Sequence, residues 1–134
     1  MSSAPTPARR VFLADDHAVV RQGLKGILEQ EGFEVVGEAS DGHAAVRMCD
    51  LLQPEVAILD LAMPRLNGID AAQEILRLCP RTKIVLLTMY PEECYMLASL
   101  RAGITGHVLK SKAASGLIRA IEEECSRAGG SERS

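Results

Sequence analysis

Asp15 and Asp16 follow the apolar run Val11–Ala14, Asp60 follows Val56–Leu59, Thr88 follows Lys83–Leu87, and Lys110 follows Gly106–Leu109. Two adjacent acids, a third acid, a hydroxyl and an ammonium thus stand at the ends of four short apolar runs. If the runs are parallel strands of one sheet, these ends share an edge, where open α/β folds bind ligands. Carboxylates brought together repel, and burying them unpaired costs several kcal/mol, so a cation is implied. Hard oxygen donors with room for water and phosphate oxygens suit Mg²⁺. Beside such an ion Asp60 can act as a nucleophile toward a phosphoryl group, while Lys110 and the Thr88 hydroxyl neutralise its equatorial oxygens. Taken singly, each residue has a plainer role: an acid after a strand often caps a helix, Thr suits a strand, and Lys is usually solvated. Those roles leave unexplained why five such groups stand at four strand ends.

The elements that must position these groups are legible in the pattern. Five short apolar runs, Val11–Ala14, Glu34–Ala39, Val56–Leu59, Lys83–Leu87 and Gly106–Leu109, alternate with amphipathic stretches, which predicts an α/β fold on a parallel sheet. Val56–Leu59 and Ile84–Leu87 are continuously apolar, as strands covered on both faces must be, whereas the two Glu of FEVVGEA suit an edge. Helical stripes run through Val20, Leu24, Ile27 and Leu28, through Ala45, Met48, Cys49 and Leu52, through Ile69, Ala72, Ile75 and Leu76, and through Ala114, Leu117, Ile118, Ile121 and Cys125. Gly32 and Gly103 mark helix stops, and Asn67 is placed to cap the third helix. Pro91–Arg101 has apolar residues on more than one face.

Composition narrows the classes. A chain of 134 residues with 47% hydrophobic, 25% charged and 3% aromatic residues and no Trp is one domain with an aliphatic core. It has no aromatic platform for single-stranded nucleic acid. With a net charge of -3 and scattered basic residues it carries no footprint for DNA or RNA, so no nucleic acid is expected to bind this chain itself. Cys49, Cys79, Cys94 and Cys125 lie far apart on or beside apolar stripes, which suits buried free thiols in a reducing cytoplasm. Arg9-Arg10 is followed by too short an apolar run for an export signal, and no stretch nears the length of a membrane span, so a cytoplasmic chain without membrane contact is expected. Residues 1–8 are expected to form a disordered tail, 9–127 the domain, and 128–134 a linker or truncated C-terminal tail.

The motifs LADDH, VAILDLAMPRLNGID, VLLTMY and GHVLK, in that order and spacing, resemble the response-regulator receiver domains of bacterial two-component signalling, from about Arg10 to Arg127. DDHAVVRQGL further resembles the NarL/FixJ-like subfamily, whose members usually carry a C-terminal helix-turn-helix DNA-binding domain outside the stretch matched. The resemblance implies a single doubly wound, flavodoxin-like sheet of five parallel strands in the order 2-1-3-4-5 with five helices. It implies Asp60 as phosphoacceptor and a Mg²⁺ ion held by Asp15, Asp16, Asp60 and the backbone carbonyl of Ala62, Asp16 directly and Asp15 through water. Thr88 and Lys110 match the residues that contact the phosphoryl group, and Pro64, Asn67 and Gly68 the turn shaping the loop after the nucleophile. A sensor histidine kinase is the implied donor. The implied output is a phosphorylation-dependent change in dimerisation or effector contacts through a face at Met89, Tyr90, Tyr95 and Met96, regulating transcription. The chain would be no turnover enzyme, only the acceptor and slow hydrolyser of its own phosphoryl group.

Three positions depart from the family pattern: Met89 follows the switch Thr, His107 stands at the aromatic switch position of the fifth strand, and Ser111 follows Lys110. His107 reads either as a titratable switch residue or as a plain core-edge histidine. His17 and His43 are assigned no chemistry. A receiver that is never phosphorylated and serves as a constitutive interaction module is the alternative, opposed by the complete set Asp15, Asp16, Asp60, Thr88 and Lys110. An aspartate-nucleophile phosphatase would want a second acid at Ala62, and a flavin protein a Ser/Thr/Gly-rich loop at DDHAVV.

Overall fold

The apolar runs form five parallel strands, and the amphipathic stretches form helices on both faces of the sheet they make. The computed structural model describes residues 9–89, 103–104 and 106–131. In chain order the elements are β1 (Arg10–Ala14), α1 (Ala18–Gln30), β2 (Glu34–Ala39), α2 (Gly42–Leu52), β3 (Val56–Asp60), α3 (Gly68–Leu78), β4 (Lys83–Thr88), β5 (Gly106–Leu109), a 3-10 turn (Lys110–Lys112) and α4 (Ala113–Ser131). The helix expected over Pro91–Arg101, and with it Tyr90, Tyr95 and Met96, lies outside the described residues.

The sheet order is β2-β1-β3-β4-β5, all pairs parallel. FEVVGEA is therefore an edge strand, as its two Glu require. Alternation along each strand divides the core. Phe12, Ala14, Ala57, Leu59, Ile84 and Leu86 pack with the apolar stripes of α2 and α3. Val11, Leu13, Val56, Ile58, Val85, Leu87 and Val108 face the opposite way, against Leu24 and Leu28 of α1 and Ala113, Leu117 and Ile121 of α4. Every one of these strand residues is at most 8% exposed, so burial on both faces accounts for the unbroken apolar runs.

Local signals end the elements as the residues dictate. Asp41 caps α2 by accepting from the Ala44 N–H, and Asn67 caps α3 by accepting from the Asp70 N–H at 2.9 Å. Gly32, at φ +94, takes the left-handed turn after α1. Two expectations are corrected. The buried stripe of α4 starts at Ala113, and Ala114 is exposed, because Ala113, Leu117 and Ile121 repeat at intervals of four on the face turned to the sheet. The helix also continues through Ala128, Gly129 and Gly130 to Ser131, where composition suggested a linker from residue 128. Extending an established helix adds a hydrogen bond per residue without a new nucleus, which offsets the poor propensity of Gly there.

Candidate functional site

The sheet order makes β1, β3, β4 and β5 contiguous, so their carboxyl ends meet on one edge beside the β1/β3 junction, where the strand order reverses. Asp15 lies just past β1, Asp60 ends β3, Thr88 ends β4, and Lys110 opens the turn after β5. Register places Leu87 opposite Asp60 and Thr88 opposite Leu109, which sets Thr88 on the strand between Asp60 and Lys110.

Asp15 is fully buried, Asp60 2% exposed and Thr88 6% exposed. The Lys110 ammonium bridges the two acids, 3.1 Å from Asp60 Oδ2 and 3.1 Å from Asp15 Oδ2. The Ala62 N–H donates to Asp60 Oδ1 at 3.3 Å, tying this carboxylate to its own loop. Burial raises the Asp60 pKa above the ordinary carboxylate value, the neighbouring Asp15 charge raises it further, and Lys110 opposes both. For Lys110, burial acts to lower the pKa, but the hydrogen bonds and charges of Asp60 and Asp15 outweigh it, so the amine is held cationic.

The loop after Asp60 is built by close backbone approach. Gly68 packs so tightly that a Cβ there would lie 2.5 Å from the Asp60 carbonyl oxygen and 2.8 Å from the Leu61 Cα, and its N–H donates to the Leu61 carbonyl at 2.8 Å. The Pro64 carbonyl accepts from the Leu66 N–H at 2.7 Å, and Arg65 turns the chain at φ +71. Pro64, Asn67 and Gly68 thus bend the chain from β3 back into α3.

Two residues at the site escaped the sequence reading. His17, assigned no chemistry, brings Nδ1 to 3.2 Å from both Asp15 Oδ1 and Asp16 Oδ1 and 4.0 Å from Asp60 Oδ2. Arg21, one turn into α1, donates from Nη1 to the Asp15 carbonyl at 2.6 Å while its Nε meets Glu38 at 3.1 Å, pinning the acidic pair to the neighbouring strand. Their only sequence signal is position, His17 directly after the acids and Arg21 four residues further along a helix. Met89 is 56% exposed. His107 is half-buried on β5, opposite Leu86, and its Nε2 has no hydrogen-bond partner among the described residues. Burial lowers its pKa and the Glu124 charge only partly opposes this, which favours the neutral ring.

The donor set fits a hard divalent ion. Ligand atoms of Asp15, Asp16, His17 and Asp60 lie within 4.8 Å of one another. Asp15 Oδ2, fully buried, has the Lys110 ammonium 3.1 Å away as its charge partner, and a carboxylate oxygen keeps a further lone pair that a second cation can take. The exposed Ala62 stands two residues after Asp60, where its carbonyl can serve as a further oxygen donor.

A parallel sheet in this order, with an acid-lined edge crossed by one lysine, defines a signalling receiver of the doubly wound type. The chain belongs to the response regulator receiver domain family, whose pattern it matches over residues 11–122. It is 42% identical over 113 residues to the transcriptional regulatory protein YxjL of Bacillus subtilis, covering 84% of this chain and 52% of that protein. It is 42% identical over 121 residues to the transcriptional regulatory protein PdtaR of Mycobacterium tuberculosis, covering 89% and 58%. The structure of the signal receiver domain of the putative response regulator NarL from Mycobacterium tuberculosis superimposes with a TM-score of 0.83 at 30% identity, over 91% of this chain and 98% of that one. The likeness to NarL agrees with the subfamily resemblance of DDHAVVRQGL. The chain spans about half the length of the curated relatives it matches. No helix among the described residues is long and apolar enough to cross a membrane.

Proposed function

We propose that Asp60 accepts a phosphoryl group, with Asp15, Asp16, Asp60 and the Ala62 carbonyl holding Mg²⁺ and with Thr88 and Lys110 contacting the phosphoryl oxygens. The observation that carries this reading is the Lys110 ammonium, 3.1 Å from each of two buried carboxylates at the strand ends. Two buried acids side by side are costly, and a fold that keeps them has a cationic ligand to meet. An Asp60 carboxylate oxygen forms the new P–O bond as the bond from phosphorus to the donor's leaving atom breaks. That atom is an imidazole nitrogen when a sensor histidine kinase donates, or an acyl oxygen when acetyl phosphate does. The bound metal would neutralise charge on the phosphoryl oxygens. Burial and the Asp15 charge favour protonated Asp60, and the charge of Lys110 opposes them, on the side of the ionised nucleophile. Water returns the acyl phosphate to the carboxylate slowly, which makes the site a timed switch and not a turnover enzyme.

Intact-mass spectrometry with acetyl phosphate and Mg²⁺ tests this. One added phosphoryl group is expected, lost in Asp60→Ala and without the metal. A folded, Mg²⁺-binding chain that gains no mass would instead indicate a constitutive interaction module.

The added charge of about -1.5 to -2 at the sheet edge would act on Thr88, on His107 and on the face that begins at the exposed Met89, with Tyr90, Tyr95 and Met96. The expected output is dimerisation or altered contact with a DNA-binding domain of a longer cytoplasmic regulator. The relatives' names as transcriptional regulatory proteins, and their roughly doubled length, support that reading. Sedimentation with and without beryllofluoride checks it: a shift toward dimer is expected, and an identical monomer distribution would exclude dimerisation by this chain.

A further inference from the structure

The stretch DDHAVVRQGL carries a guanidinium that the chemistry at Asp60 does not use. Partly buried, Arg21 donates from Nη1 to the Asp15 carbonyl at 2.6 Å, a short bond assisted by its charge. Asp15 has no exposed surface, so this carbonyl lies away from bulk water, and losing its donor would be costly. The carbonyl belongs to the peptide group that joins Asp15 to Asp16. That group is planar and includes both Cα atoms, so a donor fixed on its oxygen sets the directions in which both acidic side chains leave the chain. On its other side the Asp15 N–H donates to the Ala39 carbonyl at the end of β2 at 3.1 Å. The guanidinium is itself held: Glu38 of β2 accepts from Arg21 Nε at 3.1 Å and also meets Gln22 Nε2 and Lys25 Nζ, each at 3.2 Å. One rigid fork therefore reaches Glu38 and the Asp15 carbonyl together. Its charge alone would repel a second cation beside the acids. Charge and geometry thus act on a bound metal with opposite signs, which makes the role of Arg21 measurable.

We infer that Arg21 is a positioning residue for the metal site: through the Asp15 carbonyl it orients Asp15 and Asp16 toward Mg²⁺, with Glu38 as its anchor. The inference rests on the reading of Asp15, Asp16 and Asp60 as that site, and adds to it a residue that touches neither the metal nor the phosphoryl group.

The test is calorimetric titration of the full chain with MgCl₂, for the wild type, Arg21→Met and Lys25→Met, with urea unfolding of each to follow the fold. Arg21→Met keeps the apolar stem and loses the fork, whereas Lys25→Met removes a positive charge from the same Glu38 cluster without touching Asp15. The Mg²⁺ dissociation constant should rise about tenfold in Arg21→Met and stay within about twofold of the wild type in Lys25→Met. A folded Arg21→Met that binds Mg²⁺ as well as the wild type or better, even if less stable in urea, would reduce Arg21 to a structural residue and overturn the inference while leaving the metal site standing. Equal losses in both variants would overturn it as well, by assigning the effect to the charge cluster. Should Arg21→Met not fold, Arg21→Lys, which keeps the charge but not the planar fork, carries the test: a loss of about threefold or more is expected, and wild-type affinity would overturn the inference. A wild type that binds no Mg²⁺ would overturn both readings.

Discussion

At Asp60 three influences meet on one carboxyl group: burial and the Asp15 charge resist ionisation, and Lys110 favours it. Their sum is a raised pKa, so the folded chain keeps this proton to a higher pH than the unfolded chain does. The linked stability is greatest at low pH and is lost as pH rises from the ordinary value of 3.8 through the raised one. Asp60→Asn removes the titration while keeping the shape. In metal-free buffer at neutral pH this variant should melt above the wild type by roughly 3 °C or more. The gap should close as pH falls toward 3.8, and a gap that widened on acidification would contradict the assigned sign. The same residue shows what spacing could reveal. Asp60, Thr88 and Lys110 stand out because each ends an apolar run. His17 and Arg21 do not, since a histidine and an arginine near a helix start are ordinary, and only folding brings them against Asp15.

Among the elements, the turn from β3 into α3 bears most directly on chemistry. Gly68 is required less for its backbone freedom than for its missing Cβ, because the Asp60 carbonyl oxygen lies 2.5 Å from where that atom would stand. Gly68→Ala must push the backbone of Asp60 itself. A stability loss of about 1–3 kcal/mol is expected from such overpacking, measurable by urea unfolding, together with slower phosphoryl uptake from acetyl phosphate. A variant that lost stability but kept the wild-type rate would show that the displacement stops short of the carboxylate. The strands were read almost to the residue, since unbroken apolar runs have few alternative explanations. The last helix was not: its buried stripe begins one residue earlier than expected and its end passes two glycines, because neither packing register nor helix propagation is visible in composition.

Across the whole molecule, the sheet divides the core into two layers, and Cys49, Cys79 and Cys125 sit within this scheme. Cys49 and Cys79 are buried free thiols between α2 and the end of α3. Burial, reinforced by Cys79, pushes the Cys49 thiol up to about 12, and burial also raises Cys79. The Cys79 thiol donates to the Cys49 carbonyl at 3.3 Å, so it is engaged in packing. Since the thiolate is the reactive form, neither should react with Ellman's reagent in the native chain, and both should react once urea unfolds it, as peptide mapping would show. Rapid native labelling of Cys49 would mean that α2 opens from the sheet.

The sequence by itself determined the α/β class, the five strands, the edge position of the second strand and the residues that end the others. These follow from periodicity and from the cost of burying charge, both local properties of the chain. Tertiary structure alone decided that the carboxyl ends of β1, β3, β4 and β5 lie side by side, that Lys110 spans Asp15 and Asp60 at 3.1 Å, and that the half-exposed His17 brings Nδ1 to 3.2 Å from the acidic pair. Lys110 meets Asp15 across 95 positions of chain. A contact of that kind depends on strand order and side-chain geometry, which no local pattern encodes.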